Sequence, residues 1–284
     1  MKLDCFIDGK TQVYGIFGYP VKHSKSPIFQ TYSFQSLGIN AVYLPFEVKP
    51  EDLETAVNSL KSLGIKGVNI TVPHKEHIVQ YVDEVSEEVH YIKAANTIHN
   101  LDGYLKAYNT DAYGFIAGLK ELTTDFYDKA FLVIGAGGAA RAVLYGLIKE
   151  GVQNIIVANR TTQRINNIID DFKTLHRFID QIIKPIPLSE INQYIDKADI
   201  IVNTTSVGLK DEDQHLFDYN LIKNSHIVID IIYKKTPLLK EAEKKGCKWQ
   251  DGLPMLIYQG IKSFEIWTGK IPDIEKIKQI LTSI

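Results

Sequence analysis

A glycine-rich turn is the first feature of this sequence whose residue types and spacing suit chemistry. The run Gly135-Ala136-Gly137-Gly138-Ala139 follows the apolar stretch 131–134 and precedes a helical pattern. Glycines in such a turn let the backbone approach a pyrophosphate, and the N-terminus of the helix presents free N–H groups to the anion. The run predicts a dinucleotide site, against the plainer interpretation of a tight strand-to-helix turn.

The residues after the next predicted strand discriminate between two cofactors. A protein of this kind that binds NAD has Asp or Glu there to accept the ribose hydroxyls. Here the strand ends in Asn159-Arg160-Thr161, and Arg164 follows in the first turn of a helix. Because a guanidinium suits a 2′-phosphate or an adenine face, we expect NADP. The competing interpretation of Arg160 is an ordinary surface arginine.

Four polar clusters stand where predicted strands end in the first part of the chain. In the second of them, Asn69 and Thr71 share one strand face and Lys75 follows at the turn. The first cluster, taken alone, is explained by a helix start with Ser26 as N-cap and Pro27 at the first helical position. The clusters are Gly18–Pro27, Asn69–Lys75, Ala95-Asn96-Thr97 and Asn109-Thr110-Asp111.

Two patterns of apolar spacing predict the strands and helices that must position these polar residues. The N-terminal third alternates strands and helices, and Gly103 closes a short loop typical of a hairpin, so its sheet is expected to be mixed. The later rhythm is regular, as in a doubly wound parallel sheet. The strands expected there are 131–134, 154–158, 181–186, 200–203 and 226–231, and helices at 253–267 and 274–281 close the chain. The fold class is therefore α/β, with two lobes.

Bulk composition excludes several classes of protein. The 284 residues suit two lobes, and 45% hydrophobic with 23% charged residues is ordinary for a globular chain. The net charge of −2 gives no basic surplus for nucleic acid. The nearest candidate for a membrane span, 131–148, contains Arg141 and the glycine run, so no membrane segment is expected.

The cysteine content and the N-terminal residues favour a cytoplasmic protein. Cys5 and Cys247 are too few and too far apart for a disulfide framework or a thiolate metal site, so no metal is expected. Asp4 and Asp8 stand where a secretory signal would have its apolar core. We expect small-molecule chemistry in a reduced compartment, with monomer or homodimer left open.

In their order along essentially the whole chain, these motifs resemble the shikimate dehydrogenase family. The resemblance implies a substrate domain of residues 1–111, completed by 250–284 as the C-terminal helices return to the first lobe, and a Rossmann-like NADP domain at 112–249. It also implies reversible NADPH-dependent reduction of 3-dehydroshikimate to shikimate, in aromatic amino acid biosynthesis. The family often has a His-Asn pair where this chain has Gln30-Thr31, a difference expected to affect helix packing.

The same resemblance implies the residues of the site. The paired serines Ser24 and Ser26 are expected to hold the substrate carboxylate. The whole set of substrate contacts is Ser24, Ser26, Asn69, Thr71, Lys75, Asn96, Asp111, Tyr233 and Gln259. The cofactor contacts, beyond the glycine run and Asn159, Arg160, Thr161 and Arg164, are Thr204, Ser206, Gly252 and Met255.

Reduction of a ketone requires a proton donor for the nascent alkoxide. Lys75 is the candidate acid, and Asp111 is expected to keep its ammonium charged and aimed, so these two are the predicted catalytic residues. Without Asp111 and the glycine turn, Lys75 would be interpreted as a solvated loop lysine.

Two other functions remain open. A quinate/shikimate dehydrogenase that uses NAD has a closely related pocket, and a catalytically silent NADP-binding regulatory module would keep only the nucleotide site. Glutamyl-tRNA reductase, which has a similar nucleotide domain, requires a cysteine nucleophile, and neither Cys5 nor Cys247 has a suitable motif.

Overall fold

The computed structural model describes residues 7–210 and 212–283 and divides into two compact units. Met1–Thr110 and Gln259–Ile284 form the first unit, and Asp111–Tyr258 form the second. Asp111 and residues 250–258, expected in the first lobe, fall in the second unit. Cys5 and Asp4 lie outside the described residues, and Cys247 is a buried free thiol.

Twelve strands and ten helices make up the described chain, joined in places by short 3-10 turns. In chain order they are β1 (Gln12–Gly18), α1 (Ser26–Ser36), β2 (Ala41–Glu47), α2 (Leu53–Ser62), β3 (Gly67–Ile70), β4 (Glu84–Val85), α3 (Glu87–Ile92), β5 (Thr97–Leu101), β6 (Tyr104–Tyr108), α4 (Asp111–Leu122), β7 (Phe131–Ile134), α5 (Gly138–Lys149), β8 (Ile155–Asn159), α6 (Thr162–Phe172), α7 (Ile179–Ile182), β9 (Ile183–Pro187), β10 (Ile200–Asn203), β11 (Ile227–Asp230), α8 (Pro237–Lys244), β12 (Lys248–Gln250), α9 (Leu253–Thr268) and α10 (Ile274–Thr282).

The sheet of the first unit is mixed, as predicted. Its strand order is β2-β1-β3-β5-β6-β4, and β5 runs antiparallel to both β3 and β6. The interior strand β1 is covered on both faces: Tyr14 belongs to a cluster with Phe34 and Phe264, and Phe17 to another with Leu60. Burial on both faces explains why the strand is almost continuously apolar.

Helix α1 differs by one position from its prediction. It begins at Ser26, with Lys25 at the N-cap and no capping hydrogen bond from a side chain, so the prediction of Ser26 as N-cap is wrong. Ser26 is instead the first residue of the helix and is only 4% exposed. Gln30 on the same helix donates to the backbone oxygen of Gly260 at 2.8 Å, in agreement with the expected role in helix packing.

The sheet of the second unit is entirely parallel, with the order β12-β11-β10-β7-β8-β9. The chain runs outward from β7 through β8 and β9, then returns to β10 on the other side of β7. Open parallel sheets bind ligands where the strand order reverses in this way. The α/β class with two lobes is confirmed, and all five predicted strands are present. The strand predicted at 181–186 starts at Ile183, after one turn of helix, and the short β4 and β12 were not predicted.

Trp267 closes the core of the first unit against a glycine. Its indole Nε1 donates to the Ile98 oxygen at 2.9 Å, and a Cβ added to Gly67 would lie 2.4 Å from that nitrogen. Only a residue without a side chain allows this contact, because interiors are close-packed and the indole is held by its hydrogen bond.

We expect Gly67→Ala to lower the free energy of unfolding by about 1–3 kcal/mol through overpacking. Gly9→Ala is the matched control, because a Cβ there would meet nothing within 4 Å. Thermal unfolding of both variants, followed by circular dichroism, measures the difference. Equal midpoints would contradict the tight contact.

Candidate functional site

The polar loops of the first unit leave its sheet at one edge. β1 and β3 are parallel and paired, so they end side by side, and antiparallel β5 begins at the same edge with Thr97 opposite Asn69. β6 ends there too, with Tyr108 opposite Thr97. The segments 19–25, 71–76, 93–96 and 109–110 therefore start or finish together, and they carry most of the predicted substrate contacts.

Asn96 is the centre of a buried hydrogen-bond network at this edge. Its Oδ1 accepts from the Thr110 backbone N–H at 2.8 Å and from the Thr97 hydroxyl at 3.0 Å. Its Nδ2 donates to Thr110 Oγ1 at 2.9 Å and to Gln259 Oε1 at 3.1 Å. The side chain is 2% exposed. Asn96 and Gln259, two predicted substrate contacts that are distant in sequence, are thus brought together.

Asn69 belongs to the same network. Its Nδ2 donates to the Asn96 backbone oxygen at 3.1 Å and to Ser263 Oγ at 3.0 Å, and its Oδ1 accepts from the Tyr43 hydroxyl at 2.7 Å. Burial raises the pKa of the Tyr43 phenol well above its ordinary value, so this hydroxyl stays protonated and able to donate. Tyr43 and Ser263 were not found from the sequence, because a tyrosine in a strand and a serine in an apolar helix are ordinary core residues.

The backbone around Lys75 is fixed by three hydrogen bonds. The Lys75 carbonyl accepts from the Ala95 N–H at 2.8 Å, and the His74 N–H donates to the Thr71 carbonyl at 3.0 Å. The buried His74 ring contacts the Val48 carbonyl through Nε2 at 2.7 Å. Lys75 itself, in the loop that follows β3, is half-buried. Asp111 is 4% exposed and is the first residue of α4.

The glycine turn of the second unit has the geometry that a dinucleotide requires. Gly135 has a φ of +117°, and a Cβ there would lie 2.5 Å from Thr204 Oγ1, so glycine is required on both grounds. Gly137 is the N-cap of α5 and makes no side-chain cap, and a Cβ there would meet nothing within 4 Å. The first N–H groups of α5, which a helix cannot pair within itself, follow this turn of small residues, which fits a pyrophosphate.

The end of β8 carries cations and no acid. Asn159 Nδ2 donates to the Thr161 carbonyl at 2.9 Å, which shapes the turn into α6, and Thr161 is the N-cap of that helix. The Arg160 and Arg164 side chains are exposed, and neither forms an ion pair within the described residues. Two solvated guanidiniums at a strand end suit a phosphate monoester.

The loops after β10 and β11 carry the other predicted cofactor contacts. Thr204 is buried and donates to the Ile134 carbonyl at 2.6 Å, whereas Ser206 is exposed. Tyr233 is 42% exposed. Gly252 packs on the backbone of the second loop, since a Cβ there would lie 1.9 Å from the Ile231 oxygen. Met255 is half-buried in the first turn of α9.

A separate cavity of about 440 Å³ opens at the opposite edge of the first sheet. Lys66, His99 and Trp267 contribute to its lining, and burial together with the Lys66 charge lowers the pKa of His99. None of the predicted site residues lines this cavity.

Neither a metal site nor a membrane span is found in residues 7–210 and 212–283. No group of three or more His, Cys, Asp or Glu side chains in these ranges could hold a metal ion. Of the helices described, none is both long and apolar enough to cross a bilayer.

The fold and the site define a class, that of two-unit α/β dehydrogenases with a Rossmann-like nucleotide unit. Three family models match the chain in order: the shikimate dehydrogenase substrate binding domain at residues 16–98, shikimate/quinate 5-dehydrogenase at 118–232, and the shikimate 5′-dehydrogenase C-terminal domain at 252–282. The chain belongs to the shikimate dehydrogenase family, as its motifs predicted.

Individual relatives agree over nearly the full length. The shikimate dehydrogenase (NADP+) of Aquifex aeolicus is 47% identical over 266 residues, which cover 93% of each chain. A crystal structure of shikimate dehydrogenase in complex with NADP+ has a TM-score of 0.92 at 38% identity and covers 100% of this chain and 99% of that one. The enzyme of Thermus thermophilus in complex with NADP(H) and shikimate has a TM-score of 0.83 at 33% identity, over 94% and 97% of the two chains.

Ser263→Ala tests the buried network at the polar edge. The hydroxyl lies 2.7 Å from Thr97 Oγ1 and accepts from Asn69, so we expect its loss to lower the free energy of unfolding by about 1–2 kcal/mol. The exposed Ser283→Ala is the control and should change it by less than about 0.5 kcal/mol. Denaturant titration of both variants measures the effect, and similar midpoints would show that the network contributes little.

Proposed function

We propose that this chain catalyses the reversible NADPH-dependent reduction of 3-dehydroshikimate to shikimate, a step of aromatic amino acid biosynthesis. The observation that carries the proposal is the polar edge of the first sheet, where the amide and hydroxyl side chains of Asn96, Thr110 and Gln259 are hydrogen-bonded together and the loop that carries Lys75 begins. Such an edge suits a small polyhydroxy acid, because each substrate hydroxyl requires a directional partner. In this proposal the first unit binds the substrate and the second binds the cofactor.

Ser24 and Ser26 are proposed to hold the substrate carboxylate. Ser24 Oγ accepts from the Ser26 backbone N–H at 3.2 Å, which leaves the Ser24 hydroxyl proton to donate to an anion. Ser24 is half-buried at the start of α1. Thr71 reaches the same edge, where its methyl group packs against Gly18.

Asn96 and Gln259 are proposed to bind the substrate hydroxyls. Gln259 Oε1 accepts from Asn96 Nδ2, and this bond fixes the orientation of the Gln259 amide. In the proposal, the Gln259 N–H groups donate to the substrate. Asn69 makes its hydrogen bonds to Tyr43, Ser263 and the Asn96 backbone, so we assign it the role of supporting Asn96. Asp111 and Tyr233 complete the proposed substrate contacts.

Lys75 and Asp111 are proposed as the catalytic pair. Hydrogen bonds join the Lys75 carbonyl to Ala95 N–H and the Asn96 side chain to Thr110 N–H, and Asp111 follows Thr110 directly. The first bond fixes the backbone at Lys75, and the second fixes the residue that precedes Asp111. The Lys75 ammonium gives its proton to the alkoxide oxygen as that oxygen forms, and the Asp111 carboxylate holds the ammonium in place.

NADP is proposed to bind at the glycine turn of the second unit, where, once bound in its reduced form, it supplies the hydride. The N–H groups of Ala136, Gly137, Gly138 and Ala139 would hold the pyrophosphate. Asn159, Arg160, Thr161 and Arg164 would hold the 2′-phosphate and the adenine. The nicotinamide end of the cofactor would be lined by Thr204, Ser206, Gly252 and Met255.

We further propose a cytoplasmic enzyme that acts on small molecules, as a monomer or a homodimer. The net charge of −2 and the free Cys247 support this assignment. The NAD-dependent quinate/shikimate dehydrogenase is the alternative, and the absence of an acid at the end of β8 disfavours it.

The direct test is the appearance of reduced cofactor, measured by absorbance, with each of shikimate and quinate and each of NADP+ and NAD+. We expect the highest kcat/KM for shikimate with NADP+. A preference for quinate or NAD+ would select the alternative enzyme, and no turnover with any pair would support a silent binding module.

Lys75→Ala should lower kcat by about 100-fold or more with a modest change in the KM for shikimate, because its interaction strengthens mainly in the transition state. The exposed Lys49→Ala is the control for loss of a positive charge in the same unit. Steady-state rates measure both. Turnover of the Lys75 variant close to that of the control would remove Lys75 from the mechanism.

Arg160→Ala should raise the KM for NADP+ by about tenfold or more and the KM for NAD+ by less than about twofold. Only NADP+ carries the 2′-phosphate with which the Arg160 guanidinium would form an ion pair. Arg177→Ala, another exposed arginine of the second unit, should leave both constants unchanged. Equal losses for the two cofactors would show that Arg160 does not read the phosphate.

A further inference from the structure

Asp230 is a fully buried carboxylate at the C-terminal end of β11. Its Oδ1 accepts from the Ile232 backbone N–H at 3.0 Å, and its Oδ2 accepts from the Thr236 hydroxyl at 2.8 Å. Asn203 Nδ2, at the end of the neighbouring β10, lies 3.1 Å from both oxygens. A single side chain thus joins two strand ends and the start of α8.

A charged carboxylate in this buried position would be unfavourable without these hydrogen bonds. Burial raises the pKa of Asp230, and the nearby Asp251 raises it further, whereas the hydrogen bonds from Ile232, Asn203 and Thr236 oppose the shift. Burying a carboxylate without such donors is strongly unfavourable. The loops that supply the donors are therefore strongly held in their observed shape.

The first loop held in this way, 203–208, touches the glycine turn. Asn203 Oδ1 accepts from the Thr205 backbone N–H at 2.9 Å and from its hydroxyl at 2.8 Å, and Nδ2 donates to the Val207 carbonyl at 3.1 Å. Thr204 in turn donates to the Ile134 carbonyl and packs against Gly135. Asp230 fixes Asn203, and Asn203 shapes the loop that lies on the glycine turn.

The second loop, 231–236, is held at both ends. Ile232 N–H bonds to Asp230 near its start, and Thr236, the N-cap of α8, bonds to it at its end. The two loops also touch each other, because Gly208, with a φ of +105°, leaves room for the Thr236 side chain. Tyr233 lies between the two anchored positions of this loop.

The strand order indicates which half of a bound dinucleotide would lie near these two loops. β10 and β11 lie on one side of β7, and β8, which ends at Arg160, lies on the other. A dinucleotide bound across the reversal, with its pyrophosphate at the turn after β7, has one nucleoside at β8 and the other at β10 and β11. With the 2′-phosphate at Arg160, the nicotinamide half faces the loops that Asp230 anchors.

We propose that Asp230 is a positioning residue for the nicotinamide half of the cofactor site. It acts through Asn203, Ile232 and Thr236, which hold the two loops against the glycine turn, and it does not touch the cofactor. The inference rests on the proposed function, since it requires that the second unit bind NADP across the reversal.

The test compares two probes in Asp230→Ala. We expect the Kd for NADPH to rise about tenfold or more, as loss of hydrogen bonds to a charged group implies, and kcat to fall. The Kd for adenosine 2′,5′-bisphosphate, which occupies only the adenosine half, should change by less than about twofold. Asp199→Ala is the control: this exposed carboxylate accepts from the Ala130 N–H at the opposite end of β10, and both Kd values should be unchanged.

Exchange of the Asn203 and Asp230 side chains keeps the inference testable if Asp230→Ala does not fold. Asp230→Asn retains acceptors for Ile232 and Asn203 and should bind NADPH within about threefold of the parent chain. Asn203→Asp sets two carboxylates together and should weaken NADPH by about tenfold or more, and the double exchange Asn203→Asp with Asp230→Asn should recover at least about threefold of that loss.

The possible results separate the two proposals. A parent chain that binds neither NADPH nor the bisphosphate defeats the proposed function. A parent chain that binds both, with variants that weaken the two probes equally or with no recovery in the double exchange, overturns the role of Asp230 alone.

Discussion

The constraint on which the rest of this molecule depends is that polar groups buried at strand ends must be hydrogen-bonded. The first unit brings amides and hydroxyls to one end of its sheet, and the second brings an amide, hydroxyls and a carboxylate to strand ends of its own. Asn96 and Asp230 each satisfy the constraint by joining segments distant in sequence. A site built in this way is rigid before any ligand arrives, because moving one loop would leave a buried group without its partner.

The two sheets meet this constraint with different topologies. In the first unit, antiparallel β5 starts where parallel β1 and β3 end, so polar loops of both chain directions collect at one edge. In the second unit all strands are parallel and the order reverses between β7 and β10, which leaves a crevice beside the glycine turn. Such a reversal suits an extended dinucleotide.

The strands, the mixed and doubly wound sheets and the family could be predicted from the sequence, because apolar periodicity and glycine turns are local signals. Two short strands, β4 and β12, could not, since two or three residues carry no periodicity. Ser26 shows a further limit: a serine before proline has the sequence of a cap, yet Ser26 is a buried residue within the first turn of the helix and Lys25 is at the N-cap.

The roles of individual site residues were only partly accessible to the sequence. The motifs named Asn69 and Asn96 alike, and the structure shows that both are buried and hydrogen-bonded within one network. No role for Asp230 could be predicted from the sequence, because its contacts depend on Asn203 and Thr236, whose proximity no local pattern encodes. The catalytic and binding assignments themselves remain predictions.

The discontinuous composition of the first unit has a consequence for biogenesis. Its core includes Phe264 and Trp267, which the ribosome delivers only after the whole of the second unit has been made. The contiguous segment Asp111–Tyr258 is synthesised while the nascent N-terminal sheet still lacks the helix that covers the surface around Tyr14 and Gly67. During that interval the incomplete sheet is the part of the nascent polypeptide most in need of chaperone protection, because apolar surface without its covering helix promotes aggregation.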